Sequence, residues 1–168
     1  MREIRFRGKR VDNGKWVYGY FLPWHAVTDV SGNEPYAQIF EEYKKSGKYI
    51  AKGWANVLFD TVSEYTGLTD KNMEDIYEGD ILKIISTVRN KNYDWYDINS
   101  NSSIEREDYA IVEWDEKNTG YRLKVYHDGK YKRIARFCVG HLIAYQAQVV
   151  GNIWDNSELL KGETNEKK

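Results

Sequence analysis

The chain of 168 residues has one cysteine, two prolines and a formal net charge of −1. A single thiol, Cys138, excludes a disulfide within the chain, and a cysteine-based zinc site would need more sulfur ligands. That thiol usage fits a reducing, cytoplasmic setting. With 25 basic against 26 acidic side chains, no global field drives the protein toward nucleic acid or an anionic membrane. No run approaches the roughly 18 apolar residues of a membrane span. The opening MREIRFRGK has no apolar stretch of the signal-peptide kind, so the Asn101-Ser102-Ser103 sequon carries no expectation of glycosylation. Catalytic fingerprints are lacking as well. There is no Gly-x-Ser-x-Gly elbow, phosphate loop or dinucleotide motif. The three histidines, His25, His127 and His141, are scattered.

What the chain does have is aromatic residues, 15% of the total, with 14 Tyr and 6 Trp. These rings favour strands and suit half-buried sheet surfaces. Residues 4–11 and 15–22 read as strands around Asp12-Asn13-Gly14, a hairpin signal because Asn and Gly tolerate positive φ. Two registers are open. A two-residue loop puts Arg5, Arg7 and Lys9 on the face of Trp16, Tyr18 and Tyr20. A three-residue loop with a bulge puts Ile4 and Phe6 there instead, and is favoured because it makes one face apolar. Residues 36–40 suit either a strand or the start of a helix to Lys45. Residues 49–59 read as a strand bent at Gly53. Thr61 with Glu64 fits a capping box closed by Gly67, which predicts a short helix.

Five further strands are predicted, at 80–88, 109–115, 121–127, 130–137 and 146–154. Residues 89–108 form a long polar excursion before the second of them. Residues 141–145 suit one helical turn. The spacing of connections predicts a mainly β protein with a small Src-homology-3-like β-barrel at about 76–155, which would remove exposed sheet edges. The hairpin 4–22 is expected to pack on it, giving one domain over 1–160 with one or two short helices. Residues 161–168 form a charged tail expected to be disordered. No internal repeat is visible.

Three stretches carry a family likeness: RFRGKRVDNGKWVYGY near the amino end, DTVSEYTGLTDKNMEDIYEGDILK at 60–83, and VVGNIWDNSELL near the carboxy end. In this order they resemble the YopX family of phage and prophage proteins. The resemblance implies a phage or prophage origin, a bacterial host cytoplasm and a mainly β, barrel-containing fold. It implies no catalytic residue and no cofactor. Asn72-Met73 stands where relatives often carry Asn-Gly, which argues against a tight hairpin turn at that point.

The acidic run Asp70, Glu74, Asp75, Glu78 and Asp80 has hard oxygen ligands of the kind divalent cations take. Asp75 occupies the position where a calcium loop needs glycine. The run is better explained as a solvated turn in which Asp80 bonds local amides. Cys138 and His141 lie three apart, without the second pair a metal site needs, so no metal site is assigned. Cys138 suits a small core position.

Two basic groups interleave with tyrosines. One comprises Arg2, Arg5, Arg7, Lys9, Arg10 and Lys15 with Tyr18 and Tyr20. The other comprises Arg122, Lys124, Lys130, Lys132, Arg133 and Arg136 with Tyr121, Tyr126 and Tyr131. Cations that hold phosphates beside rings that stack bases suit single-stranded nucleic acid. Arg5, Arg7, Lys9, Tyr18 and Tyr20 are the nucleic-acid candidates, with Arg5 and Arg7 as phosphate contacts. Alternating basic residues also keep the outer face of an antiparallel strand solvated, and tyrosines pack across strands. Tyr93, Trp95 and Tyr96 in the excursion resemble interface anchors. A non-enzymatic binding module acting through protein contacts or self-assembly is the leading expectation. A host or phage protein is the expected partner, nucleic acid is the alternative, and an enzyme of unknown reaction comes last.

Overall fold

A computed structural model describes residues 3–27, 36–46, 48–89, 103–136 and 147–161. These divide into two compact units, Met1–Leu68 and Thr69–Lys168. Both are built of antiparallel strands, as the aromatic and β-branched content predicts.

The first unit contains β1 (Phe6–Lys9), β2 (Trp16–Val27), β3 (Tyr36–Lys45), β4 (Lys48–Leu58) and β5 (Ser63–Thr69). They lie in the order β4-β3-β2-β1-β5. Residues 36–45, which suited strand or helix, are strand. The hairpin forms neither expected loop: it closes through the four residues 11–14, the Arg10 amide donating to the Lys15 carbonyl at 2.9 Å. Its faces sort as in the register not favoured from sequence, with Arg7 opposite Tyr18 and Lys9 opposite Trp16. The apolar-face criterion misplaces it because the small and aliphatic residues, not the rings of β2, make the core side. Val17, Ala37, Ile39, Ala55 and Val57 are buried there, with Phe6, Phe21 and Val62 packed against them. Gly8 leaves room for this packing, since a Cβ on it would come within 3.0 Å of Val57.

The helix predicted after Thr61 is absent. A single 3-10 turn, Phe59–Thr61, leads directly into β5. The Thr61 hydroxyl does not cap Glu64. It donates to the Leu58 carbonyl at 2.7 Å and accepts the Lys9 amide at 2.8 Å. With Thr61 tied to β1, the following residues extend along that strand, Arg7 pairing with Ser63 and Phe6 with Glu64. Tertiary pairing has overridden a local cap signal.

The second unit contains β6 (Asp75–Tyr77), β7 (Asp80–Arg89), β8 (Ser103–Asp115), β9 (Gly120–His127), β10 (Lys130–Arg136) and β11 (Ala147–Asn152). Its sheet runs β10-β9-β8-β7-β11. Strands form at all five expected places, but β8 starts at Ser103, so residues 103–108 of the expected polar excursion are strand, paired with β7 up to Arg89. Ile81, Leu82, Ala110, Val112, Leu123 and Ala147 are fully buried.

Neither sheet closes into a barrel, which corrects the expectation for 76–155. The far edge of β11 is covered in another way. Lys71 donates its amide to the Ala147 carbonyl at 3.1 Å. The Val149 amide donates to Asp70 Oδ2 at 3.0 Å. A turn before β6 thus protects the edge that closure would have used. In the first unit the sheet curls until Arg10 bridges Val57 of β4, and the Val11 amide reaches the Asn56 carbonyl at 3.0 Å. That is one bridge, not a closing ladder. Among the described residues no helix is long and apolar enough to cross a membrane.

Candidate functional site

Side chains alternate across a strand, so the first-unit register sorts residues onto two faces. Opposite the core face lie Arg7 and Lys9 of β1, Trp16, Tyr18 and Tyr20 of β2, Gln38, Phe40 and Glu42 of β3, and Trp54 and Asn56 of β4. Tyr20 stands across from Phe40, which stands across from Trp54. Phe40 and Trp54 meet edge to face, with centroids 5.0 Å apart. Gln38 donates to Asn56 at 3.0 Å on the same face. Tyr18, Tyr20 and Trp54 are 43%, 45% and 51% exposed. Rings of this size lose much accessible area when a partner covers them.

The five nucleic-acid candidates do come together. Their cations, however, are engaged within the sheet. Arg7 is only 6% exposed. Its Nε donates to the Ser63 hydroxyl at 3.0 Å, and its guanidinium lies 4.8 Å from the Trp16 ring centre. Lys9 Nζ approaches the same ring at 5.6 Å. Arg5 pairs with Glu3 at 3.3 Å and lies over Tyr65 at 4.9 Å. Arg10 pairs with Asp12 at 2.9 Å, and that hydrogen bond holds the Asp12 carboxyl below its usual range. Arg5, Arg7 and Lys9 thus tie this segment to β2 and β5.

In the second basic group, Arg122 lies 3.2 Å from Glu113 and Lys124 3.7 Å from it. Lys130 and Lys132 are exposed on β10, which ends the sheet. Tyr131 packs edge-on against Tyr126 at 6.1 Å. Tyr93, Trp95 and Tyr96 lie outside the described residues, as do Cys138 and His141.

Three members of the acidic run, Asp70, Glu78 and Asp80, clamp backbone amides. Asp70 is 1% exposed. Its Oδ1 accepts the amides of Asn72 at 2.6 Å and Glu74 at 3.0 Å, and Oδ2 accepts that of Val149. Met73 follows with φ of 67°, so the turn forms without the Asn-Gly pair. Asp80 accepts the Tyr77 amide at 2.8 Å, and Glu78 that of Trp114 at 3.1 Å. Gly79 sits against Trp154, where a Cβ would come within 2.5 Å of the indole. The central and carboxy-terminal sequence stretches therefore meet in the second unit. His127 lies 2.9 Å from Asp108, which also takes the Arg106 guanidinium at 2.8 Å. Among the described residues no group of three or more His, Cys, Asp or Glu is arranged to hold a metal ion.

Phe40, Glu42 and Trp54 were missed in the sequence. The pairing that sets them beside Tyr20 is visible only in the ladder. Alternation of Trp54 and Asn56 with buried Ala55 and Val57 was the available signal.

Among the described residues the two units thus define a mainly β protein whose sheets do not close into a barrel, with an aromatic sheet face in one unit and a clamped acidic turn in the other. Residues 5–161 match the YopX protein family, and the chain belongs to that family. No curated protein matches it. Among solved structures, the chain is similar to protein EF1440 from Enterococcus faecalis. The two are 16% identical with a TM-score of 0.47, over 96% of this chain and 100% of that one.

Proposed function

We propose that this is a phage or prophage accessory protein of the host cytoplasm, a non-enzymatic binding module acting through protein contacts or self-assembly. The outer face of the first unit carries recognition. The observation behind this is the exposed row of rings Tyr18, Tyr20 and Trp54, with Phe40 among them. Large rings with few rotatable bonds are the side chains that dominate protein interfaces.

The nucleic-acid alternative is favoured by the register, which sets cations and rings on one face. Against it stands the engagement of Arg5 and Arg7 with Glu3, Ser63 and the rings of Tyr65 and Trp16. A phosphate contact would have to displace these interactions.

The test compares wild type with Tyr20→Ala/Trp54→Ala as bait in lysate of infected host cells, by quantitative mass spectrometry, beside sedimentation of each pure protein. The expected result is a captured protein, or a self-association step, present in wild type and lost in the variant. Identical capture and identical sedimentation, or salt-sensitive oligonucleotide binding that Arg5→Ala/Arg7→Ala abolishes, would overturn the proposal.

A further inference from the structure

Among the described residues, the outer face of β2, β3 and β4 contains one carboxylate. Glu42 follows Phe40 by two residues on β3, so both side chains leave the same side of the strand. The β2–β3 ladder reaches the pair Gly19–Glu41, and Tyr18 and Glu42 are the next residue on each strand. On its other flank Glu42 pairs with Ala51 of β4. Glu42 Oε1 is shielded from solvent and has no hydrogen-bond partner among the described residues. Its neighbour Glu41 points to the opposite face, where it takes Lys52 at 2.6 Å and Arg10 at 3.4 Å.

We infer that this face receives a cationic side chain, an arginine first and a lysine second, from an extended segment of a partner protein. This deepens the protein-contact function proposed above and rests on it. Three features define the chemistry. A carboxylate only accepts hydrogen bonds, so the incoming group must donate. Ring faces are electron-rich and attract cations, Trp most strongly. A guanidinium is planar and weakly hydrated, so it can stack on a ring while its fork meets the carboxylate. The chain already makes such contacts internally, with Arg7 on Trp16, Arg5 on Tyr65 and Lys52 on Tyr43. At Glu42 itself an anionic group, phosphate included, would meet like charge.

The probes are three extended peptides of equal length carrying two Arg, two Lys or two Glu among Ala and Ser, titrated into the full chain. Amide shifts at Tyr18, Phe40, Glu42 and Trp54 are followed by NMR. The expected result is saturable shifts with the Arg peptide, weaker ones with Lys and none with Glu. Glu42→Gln keeps the side-chain shape and is expected to weaken Arg-peptide binding about tenfold, the size of one charge-assisted hydrogen bond. Trp54→Leu removes the ring while leaving Glu42 in place, and is expected to weaken binding as well. Unmoved amides at millimolar Arg peptide, or equal affinity in wild type and Glu42→Gln, would overturn the inference. If Tyr20→Ala/Trp54→Ala abolishes capture while Glu42→Gln captures normally, the protein-contact function stands and the cationic partner falls.

Discussion

Replacing Asp70 by Ala is expected to unravel the edge of the second sheet. The carboxylate is 1% exposed and accepts three backbone amides, those of Asn72, Glu74 and Val149. A hydrogen bond to a charged group contributes about 1.5–3 kcal/mol. Asn72 and Glu74 lie in an exposed turn, so water can take over part of their bonding. The Val149 amide is half-buried on β11, and it bears the larger loss. The sum is about 3–4 kcal/mol, a large part of a typical domain's stability. Asp70→Asn retains one accepting oxygen, which can serve Asn72 and Glu74. It turns an amide toward Val149, for a loss of about 1.5–2.5 kcal/mol. Chemical denaturation followed by tryptophan fluorescence measures both losses, and hydrogen exchange at Val149 locates them. A loss below about 0.5 kcal/mol in Asp70→Ala, the range of an ordinary surface substitution, would refute the clamp.

Gly79→Ala combines a left-handed backbone, φ 78°, with a Cβ inside the Trp154 ring. It is expected to cost about 2–4 kcal/mol by thermal melting. Arg7→Ala, at a buried site bonded to Ser63, should lower stability by about 1–3 kcal/mol, whereas exposed Tyr18→Ala should stay within about 0.5 kcal/mol; equal effects in the same melts would contradict the bracing role of Arg7. Hydrogen bonding by Lys83 and Tyr109 lowers the Glu107 carboxyl, and Asn118 with the amides of Lys117 and Asn118 lowers Asp115. A carboxyl lowered in the folded state stabilises above its unfolded value, so stability should be flat near neutrality and fall as pH drops below about 4. Lys124 is raised, chiefly by its hydrogen bond to Tyr126. Its contribution should be complete below about pH 10 and vanish as pH rises beyond the folded value. Melting temperatures across acid and alkaline series test both directions.

Much of the fold could be read in the sequence because strand signals are local. Ile-rich 80–88 and the turns at Asn118-Thr119-Gly120 and Asp128-Gly129 appear where expected. The hairpin register could not be read, because Trp16 and Tyr18 are aromatic yet lie on the outer face, where Trp16 sits over Arg7 and Lys9. The helix after Thr61 failed because its capping hydroxyl has a partner 52 residues away in β1. Closure of the second sheet failed for a related reason: the Asp70 carboxylate, whose reach to Val149 no local pattern announces, covers the edge. At the candidate site, Tyr18 and Tyr20 were legible as ring positions. Phe40 and Glu42 were not, since residues 36–45 satisfied strand and helix patterns alike, and the extra residue in β4 opposite Glu41 and Glu42 broke the alternation near Trp54.

The most direct test of the proposed recognition face is hydrogen exchange of the chain alone against the chain with any partner that the capture experiment yields, or at high concentration of the chain itself. Protection confined to the amides around Tyr18–Tyr20, Phe40 and Trp54 is the predicted outcome. Protection in the second unit, with those amides unchanged, would contradict it.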